Sequence, residues 1–210
     1  MNRIFQKRVV PVAVIDKVED AVPLADALLA AGLDIIEVTF RTPAAADCVR
    51  AIVMAHPGML VGAGTLLEAG QVKQARDAGA KFGVAPGLNE SVVRSSLDLG
   101  MPFVPGVATA SEVEQALALG CKLQKLYPCD VLGGVKLLKA FAGPYGHTGV
   151  KFIPLGGINA QNMGECLALP IVAAIGGSWI AERKLVAEHK WSTITSLASE
   201  ALTLAAKSTT

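Results

Sequence analysis

Short apolar runs alternate with segments of helical periodicity along the whole chain. The runs are rich in β-branched residues and poor in charge, which is typical of parallel strands that are covered on both faces. Several intervening helical segments end at Gly32, Gly79, Gly100 or Gly120, and glycine readily adopts the left-handed conformation that follows a helix. We predict strands at residues 9–14, 35–39, 60–64, 82–85, 103–107, 123–127, 151–155 and 171–175.

This alternation predicts the fold class. Eight strand–helix units within 210 residues indicate an α/β protein with the (β/α)8 TIM-barrel architecture, in a single domain that covers residues 1–210. The competing doubly wound sheet requires a glycine-rich fingerprint after the first strand. The sequence Val14-Ile15-Asp16-Lys17 at that place has none.

Two helix starts are marked by pairs that suit a capping box. Asp16 with Glu19 predicts the first helix, and Thr109 with Glu112 predicts the helix before the sixth strand. The few residues that precede the first strand leave little room for a further helix.

Composition narrows the possible partners and the compartment. A net charge of +1 gives no reason to expect binding to nucleic acid or to an anionic membrane. The longest uncharged run, between Glu165 and Glu182, is too short to span a bilayer, and Met1–Val10 lacks the apolar core of a signal peptide. Four scattered cysteines and three widely spaced histidines favour a reducing cytoplasm and no metal centre.

A lysine lies inside the sixth predicted strand. Because side chains alternate along a strand, Leu123, Lys125 and Tyr127 share one face while Lys122 and Gln124 face the other way. A charge among apolar neighbours is costly unless it has a partner or a function. Burial favours the neutral amine, which is a nucleophile for ketones. Lys125 is therefore the candidate catalytic residue.

The second predicted strand supplies a carboxylate and a guanidinium on one face. Glu37, Thr39 and Arg41 alternate there, and Arg41 lies at the carboxyl end of the strand, where barrel enzymes place their sites. Arg41 suits a bidentate pair with a substrate carboxylate, and Glu37 suits general acid/base catalysis. The alternative is a structural ion pair of Glu37 with Arg41 or Lys125.

Other predicted strands end in glycines and hydroxyl groups. Gly62-Ala63-Gly64-Thr65 would admit a ligand to the backbone and offer it a hydroxyl, although Thr65 could instead cap the next helix. The last two strands are followed by paired glycines, at the usual phosphate site of this fold. A following helix start would add a favourable dipole, whereas the alternative is a pair of ordinary tight turns. These residues are Gly156, Gly157, Gly177 and Ser178.

One motif carries a resemblance to a known family. Gly32–Arg41 reads Gly-Leu-Asp-Ile-Ile-Glu-Val-Thr-Phe-Arg and matches the pattern G-x4-E-[LIV]-T-[LF]-R throughout. With Val61–Thr65, Pro86–Leu88 and Ala142–Pro144 as further landmarks, the chain resembles the 2-keto-3-deoxy-6-phosphogluconate (KDPG) aldolases, which also act on 4-hydroxy-2-oxoglutarate. The resemblance extends over nearly the whole chain, from Val10 to Trp179.

The chain departs from the family pattern in two places. The family lysine motif is commonly K-[LF]-F-P-[AS], and here Lys125–Cys129 reads Lys-Leu-Tyr-Pro-Cys. Leu155 replaces a threonine that often precedes the first glycine pair. The loss of that polar contact bears on substrate range and affinity more than on reaction type.

The resemblance implies a class I aldolase that cleaves KDPG to pyruvate and glyceraldehyde 3-phosphate through a Schiff base. Lys125 would form the imine with the C2 ketone, and Glu37 would relay protons. Arg41 and Thr65 would hold the carboxylate of the pyruvate moiety. The phosphate would be bound by Gly156, Gly157, Gly177 and Ser178. The resemblance also implies no metal or other cofactor, a role in the Entner–Doudoroff pathway, a cytoplasmic location and a homotrimer.

Three alternatives stay open. Within the aldolase class, the substrate could be the epimeric 6-phosphogalactonate. A phosphosugar isomerase or a phosphate-ester synthase on a similar barrel belongs to another class, and the synthase would require clustered Mg²⁺ carboxylates that the sequence does not show. A non-catalytic barrel would bind sugar phosphates without cleaving them.

Overall fold

A computed structural model describes residues 1–208 of the chain. Within these residues there are nine strands. Their bounds are Val9–Ala13 (β1), Ile35–Thr39 (β2), Leu60–Gly64 (β3), Phe82–Val84 (β4), Phe103–Val104 (β5), Gly106–Val107 (β6), Leu123–Leu126 (β7), Lys151–Pro154 (β8) and Ile175–Gly177 (β9).

Helices separate most of these strands. The α-helices among residues 1–208 are Asn2–Lys7 (α1), Ala21–Ala30 (α2), Ala45–Ala55 (α3), Ala69–Asp77 (α4), Glu90–Asp98 (α5), Ala110–Ala118 (α6), Val135–Tyr145 (α7), Met163–Leu167 (α8), Arg183–Ala187 (α9) and Trp191–Lys207 (α10). None of the helices in this described part of the chain is both long and apolar enough to pass through a membrane.

The strands form a curled parallel arrangement, which confirms the α/β class. One sheet has the order β5-β4-β3-β2-β1-β9 and the other has the order β6-β7-β8, and every pairing is parallel. The predicted strand 103–107 is interrupted at Pro105, which has no N–H group to donate to a ladder. The carbonyl of Pro105 instead accepts a hydrogen bond of 2.8 Å from the Lys125 N–H, so β7 lies directly against the interruption.

The position predicted for the last strand was wrong. The apolar run that begins at Ile171 pairs with two different strands in succession. Its first part is irregular and bonds to Phe152, whose N–H donates to the Ile171 carbonyl and whose carbonyl accepts from Ala173. Its second part, β9, pairs with β1 through Val9 and Ile175. Periodicity alone does not reveal this change of partner, because both parts are apolar and buried.

The expectation that no helix precedes β1 was also wrong. Helix α1 places Ile4, which is fully buried, among residues that the strands direct inward. This inner cluster is separate from the larger one between the strands and the outer helices. Its buried members are Ile4, Val10, Ile35, Phe82, Val84, Val104, Ile153 and Ala174.

One of the two predicted capping boxes is present. At the start of α6, Thr109 Oγ1 accepts from the Glu112 N–H at 3.3 Å and Glu112 Oε2 accepts from the Thr109 N–H at 2.9 Å. Asp16 caps no helix, since α2 begins only at Ala21. Its carboxylate instead accepts two hydrogen bonds from Arg183, at 2.8 and 2.6 Å. That contact lowers the pKa of Asp16, and it joins the loop after β1 to the start of α9, far away in sequence.

The packing of Ile4 in the inner cluster predicts that two truncations in α1 lower the free energy of unfolding by unequal amounts. Ile4→Ala removes a fully buried side chain and should lower the free energy of unfolding by about 2–5 kcal/mol. Phe5→Ala is the matched control, because Phe5 is 44% exposed and its truncation leaves no sealed cavity. Denaturant unfolding of both variants measures the difference. Equal losses would show that α1 does not pack Ile4 into the cluster.

Candidate active site

Two charged side chains meet inside the apolar inner cluster. Lys125 on β7 and Glu37 on β2 are each 3% exposed, and Lys125 Nζ lies 3.9 Å from Glu37 Oε1. That oxygen is buried and has no hydrogen-bond partner within residues 1–208. A buried carboxylate oxygen without a donor is costly, so it is available to accept a proton or a hydrogen bond from a ligand.

The walls around this pair are apolar. Lys125 and Glu37 line one small cavity whose other lining residues are Val10, Phe82, Val84, Val104, Ile153, Leu155 and Gly176. Lys122, the residue immediately before β7, is exposed. Gln124 is buried in the helix layer, where its side-chain amide donates to the carbonyls of Val113 and Cys121. The structure therefore confirms the alternation deduced for this strand.

The glycines of β3 serve neighbouring side chains. A Cβ atom at Gly64 would lie 2.0 Å from Glu37 Oε1, and one at Gly62 would lie 2.2 Å from Phe82 Cζ. The sequence predicted that these glycines admit a ligand to the backbone, and in the structure side chains occupy the space beside them. Gly64 leaves space for the Glu37 carboxylate, and Gly62 leaves space for an aromatic wall of the cavity.

Arg41 and Thr65 lie together just beyond the ends of β2 and β3. Arg41 Nε donates to Thr65 Oγ1 at 3.0 Å, and the two strands are in register through Thr39 and Gly64. The Glu37 carboxylate reaches Gly64, the residue before Thr65. The Arg41–Thr65 pair therefore begins next to the Lys125–Glu37 pair. Arg41 thus bonds to Thr65 rather than forming an ion pair with Glu37. Thr65 does not cap α4 either, because the capping residue there is Glu68.

Thr65 has a strained backbone. Its φ of 58° lies in the left-handed region, which a β-branched residue rarely adopts. The Leu66 N–H, which follows this residue, donates to the Val84 carbonyl at 3.1 Å. Strain of this kind concentrates at ligand-binding sites. Here it places the Thr65 hydroxyl against Arg41.

The loop after β8 exposes two adjacent backbone donors. Gly156 and Gly157 have φ of 93° and 81°, and within residues 1–208 neither N–H donates a hydrogen bond. A Cβ at Gly157 would lie 2.3 Å from Asp130 Cβ, so a side chain at this position would clash. Successive N–H groups in such a turn suit an anion. This geometry favours a binding loop over an ordinary tight turn.

The two candidate residues at the end of β9 differ in their exposure and pairing. Ser178 is exposed at the end of the strand, whereas Gly177 lies inside β9 and pairs with Pro11. A Cβ at Gly177 would lie 2.8 Å from Trp179 Cζ3, so this glycine also makes room for the indole ring. The prediction that a helix begins directly after each glycine pair, and adds its dipole to the site, was wrong for both loops. Helices α8 and α9 have five residues each and begin well beyond the glycines.

Two residues of the site were not proposed as functional from the sequence. The Tyr127 ring centroid lies 5.3 Å from Lys125 Nζ, and Leu155 forms part of the cavity wall. A Cβ at Gly176 would lie 2.3 Å from Leu155 Cδ1, so the leucine lies across β9. Strand alternation was the signal for Tyr127. Nothing in the sequence indicated the packing of Leu155.

The cysteines are poorly suited to act as nucleophiles. Burial raises the pKa of Cys48 to about 11 and also raises the pKa of Cys121. A hydrogen bond to Cys166 is the main cause of the raised pKa of Cys129. The same hydrogen bond lowers the pKa of Cys166, but that side chain is only 2% exposed. Lys125 is therefore the stronger candidate nucleophile.

Fold and site together define a class. The chain is an α/β protein of curled parallel strands that holds a buried lysine beside a carboxylate, and a lysine desolvated in an apolar pocket suits Schiff-base formation. Among residues 1–208, no three His, Cys, Asp or Glu side chains are grouped to hold a metal ion.

Comparisons with known proteins identify the family within that class. The sequence model described as "KDPG and KHG aldolase" matches residues 1–197. A 2-dehydro-3-deoxy-phosphogluconate aldolase of Treponema pallidum is 45% identical over 195 residues, which are 93% of this chain and 92% of that protein. The chain therefore belongs to the KDPG and KHG aldolase family.

Solved structures agree with this assignment. The KDPG aldolase of Legionella pneumophila, with pyruvate captured as a covalent carbinolamine intermediate, has a TM-score of 0.89 and 41% identity, over 93% of this chain and 95% of that one. The 2-keto-3-deoxy-6-phosphogluconate aldolase of Zymomonas mobilis with 3-phosphoglycerate has a TM-score of 0.85 and 38% identity, over 95% and 93% of the two chains.

The strain at Thr65 leads to a stability prediction. Thr65→Gly and Thr65→Ala both remove the hydroxyl that Arg41 contacts. The difference between their free energies of unfolding therefore reports the effect of the backbone conformation alone. The glycine variant should be the more stable by about 1 kcal/mol, because alanine is disfavoured at positive φ. Denaturant unfolding measures this difference.

Thr42 is the matched control for Thr65. It also hydrogen-bonds through its hydroxyl, to the Ile15 carbonyl at 2.7 Å, and it is not among the residues with positive φ. At Thr42 the order should reverse, with alanine more stable than glycine. The same order at both positions would contradict the strain at Thr65.

Proposed function

We propose that this protein is a class I aldolase that cleaves KDPG to pyruvate and glyceraldehyde 3-phosphate, and that it also cleaves 4-hydroxy-2-oxoglutarate. The observation that carries the proposal is the buried Lys125 amine, 3.9 Å from the Glu37 carboxylate in an apolar cavity enclosed by the parallel strands. The names of the relatives and the pyruvate adduct in the Legionella pneumophila enzyme support the substrate class.

Catalysis begins at Lys125. Its neutral amine attacks the C2 ketone, and the resulting carbinolamine loses water to give a protonated imine. The imine withdraws electrons from the neighbouring carbons. The apolar walls around Lys125 keep competing water away and strengthen the electrostatic interaction with Glu37.

Glu37 moves the protons. It takes the proton of the C4 hydroxyl, directly or through a water molecule, as the C3–C4 bond breaks. Glyceraldehyde 3-phosphate then leaves, and an enamine stays on Lys125. Protonation of the enamine carbon and hydrolysis of the imine release pyruvate. The free lone pairs of Glu37 Oε1 suit a group that accepts and returns a proton.

Arg41 and Thr65 hold the carboxylate of the substrate. Thr65 follows Gly64, which the Glu37 carboxylate approaches, and the Arg41 guanidinium retains donors beyond the one that contacts Thr65. A guanidinium and a hydroxyl together fix the orientation of a carboxylate. The C2 ketone is thereby aligned with Lys125 Nζ.

The phosphate binds at the other end of the site. The unpaired N–H groups of Gly156 and Gly157 and the exposed hydroxyl of Ser178 supply its donors. Gly177 contributes by keeping β9 close to β1 and by making room for Trp179. Binding energy from this remote group orients the reacting end of the substrate.

The proposal includes a complete (β/α)8 barrel in a single domain, residues 1–210. The hydrogen bond from Lys125 to Pro105 at one sheet edge and the bonds of Phe152 to residues 171 and 173 at the other support closure of the two sheets. Resemblance to the family supports an enzyme that needs no metal or other cofactor. It also supports a cytoplasmic homotrimer that serves the Entner–Doudoroff pathway.

The decisive prediction concerns imine trapping. Incubation with pyruvate and borohydride should leave one reduced pyruvate on Lys125, located by peptide mass spectrometry. Lys125→Met should abolish the adduct, whereas Lys122→Met, the control at an exposed residue just before β7, should retain it. No adduct, or an adduct on Lys122, would overturn the proposal in favour of an isomerase or a non-catalytic phosphate-binding barrel.

A second prediction separates Glu37 from imine formation. Glu37→Gln has nearly the same shape and loses the exchangeable charge, so it should slow KDPG cleavage by roughly 10²- to 10⁴-fold. Prolonged borohydride treatment with pyruvate should still label Lys125. Cleavage at the wild-type rate would remove Glu37 from the mechanism. A coupled assay of both C4 epimers in the wild type identifies the preferred substrate.

A further inference from the structure

We propose that the hydroxyl of Tyr127 binds the C5 hydroxyl of the substrate, the one between the cleaved bond and the phosphate, and so selects substrates that carry it. This inference rests on the proposed function and adds a specificity-determining residue to it.

The Tyr127 ring spans the two ends of the site. On one side its centroid lies 5.3 Å from Lys125 Nζ, where the substrate carbonyl reacts. On the other side its Cε2 atom lies 3.2 Å from the position that a Cβ of Gly156 would occupy, next to the proposed phosphate donors. Cε2 is bonded to the carbon that carries the phenol oxygen. The polar end of the ring therefore lies near the Gly156 end of the site.

The Tyr127 hydroxyl is free to bind a ligand. No hydrogen bond to it is found within residues 1–208, and the side chain is only partly buried. The chain has one other tyrosine, Tyr145, whose hydroxyl bonds to Glu114 Oε1 at 2.9 Å. Tyr127 thus offers a neutral donor and acceptor that the fold itself does not use.

The proposed mechanism leaves one substrate group without a partner. Arg41 and Thr65 take the carboxylate, Lys125 takes C2, Glu37 takes the C4 hydroxyl, and the glycine loop takes the phosphate. The C5 hydroxyl lies between the C4 hydroxyl and the phosphate. Tyr127 lies in the matching part of the site, between Lys125 and Gly156. The side chain of Leu155, which packs against Gly176 of β9, is apolar and offers the C5 hydroxyl no hydrogen bond. A neutral hydroxyl partner matches a neutral substrate hydroxyl.

The test pairs one atom of the enzyme with one atom of the substrate. Tyr127→Phe removes only the phenol oxygen, and the 5-deoxy analogue of KDPG removes only the C5 oxygen. The kcat/KM of the wild type and the variant is measured on both compounds. Tyr145→Phe is the matched control, because it removes a hydroxyl that already has a protein partner.

The expected pattern depends on the substrate. Tyr127→Phe should lose roughly 3- to 10-fold in kcat/KM on KDPG, the range of one neutral hydrogen bond, and should match the wild type on the 5-deoxy analogue. Tyr145→Phe should change both substrates by the same factor. Equal losses of Tyr127→Phe on both compounds, or no loss on KDPG, would overturn the inference.

A separate readout distinguishes this failure from failure of the proposed function. Trapping of pyruvate on Lys125 does not involve C5, so Tyr127→Phe should be labelled like the wild type. If the wild type traps pyruvate and cleaves KDPG but the substrate-dependent loss is absent, only the role of Tyr127 is overturned. If the wild type neither traps pyruvate nor cleaves KDPG, both proposals are overturned.

Discussion

The structure depends on keeping a lysine and a glutamate inside an apolar cavity. Lys125 Nζ and Glu37 Oε1 lie 3.9 Å apart, and the two side chains are 3% and 4% exposed. Removing two charges from water costs more than a pair at this distance returns, so the pair is a poor device for stability. Its arrangement instead leaves a buried carboxylate oxygen without a donor of its own. The inner cluster, sealed by Ile4 from α1, supplies the water-poor environment.

The second constraint is that several glycines lie so close to neighbouring side chains that a Cβ atom would not fit. Gly64 leaves space for the Glu37 carboxylate, and Gly176 leaves space for Leu155, each at a point where a Cβ would clash. In the loop after β8, Gly157 fits against Asp130 only without a side chain. The glycines therefore shape the site from both sides. Thr65 contributes differently, since its strained backbone directs a hydroxyl to Arg41.

Much of the site was predictable because strand alternation is a local rule. It separated the buried Lys125 from the exposed Lys122 and placed Glu37 on the inward face of β2, in agreement with the burial and contacts observed. The same rule could not tell which residues of neighbouring strands meet, because register depends on the whole sheet. The role of Gly64 and the wall formed by Leu155 came from that register. The wrong cap at Asp16 arose because Arg183, far away in sequence, binds its carboxylate.

The sequence by itself determined the α/β class, the positions of most strands, the family and the candidate for the reactive lysine. Each of these follows from periodicity along a short segment or from a motif that local geometry demands. Only the tertiary structure decided that the run from Ile171 divides between two partner strands, that α1 fills the inner cluster, and that Tyr127 spans the space from Lys125 to Gly156. Those outcomes depend on which surfaces remain to be covered once all the strands are in place, and no single segment carries that information.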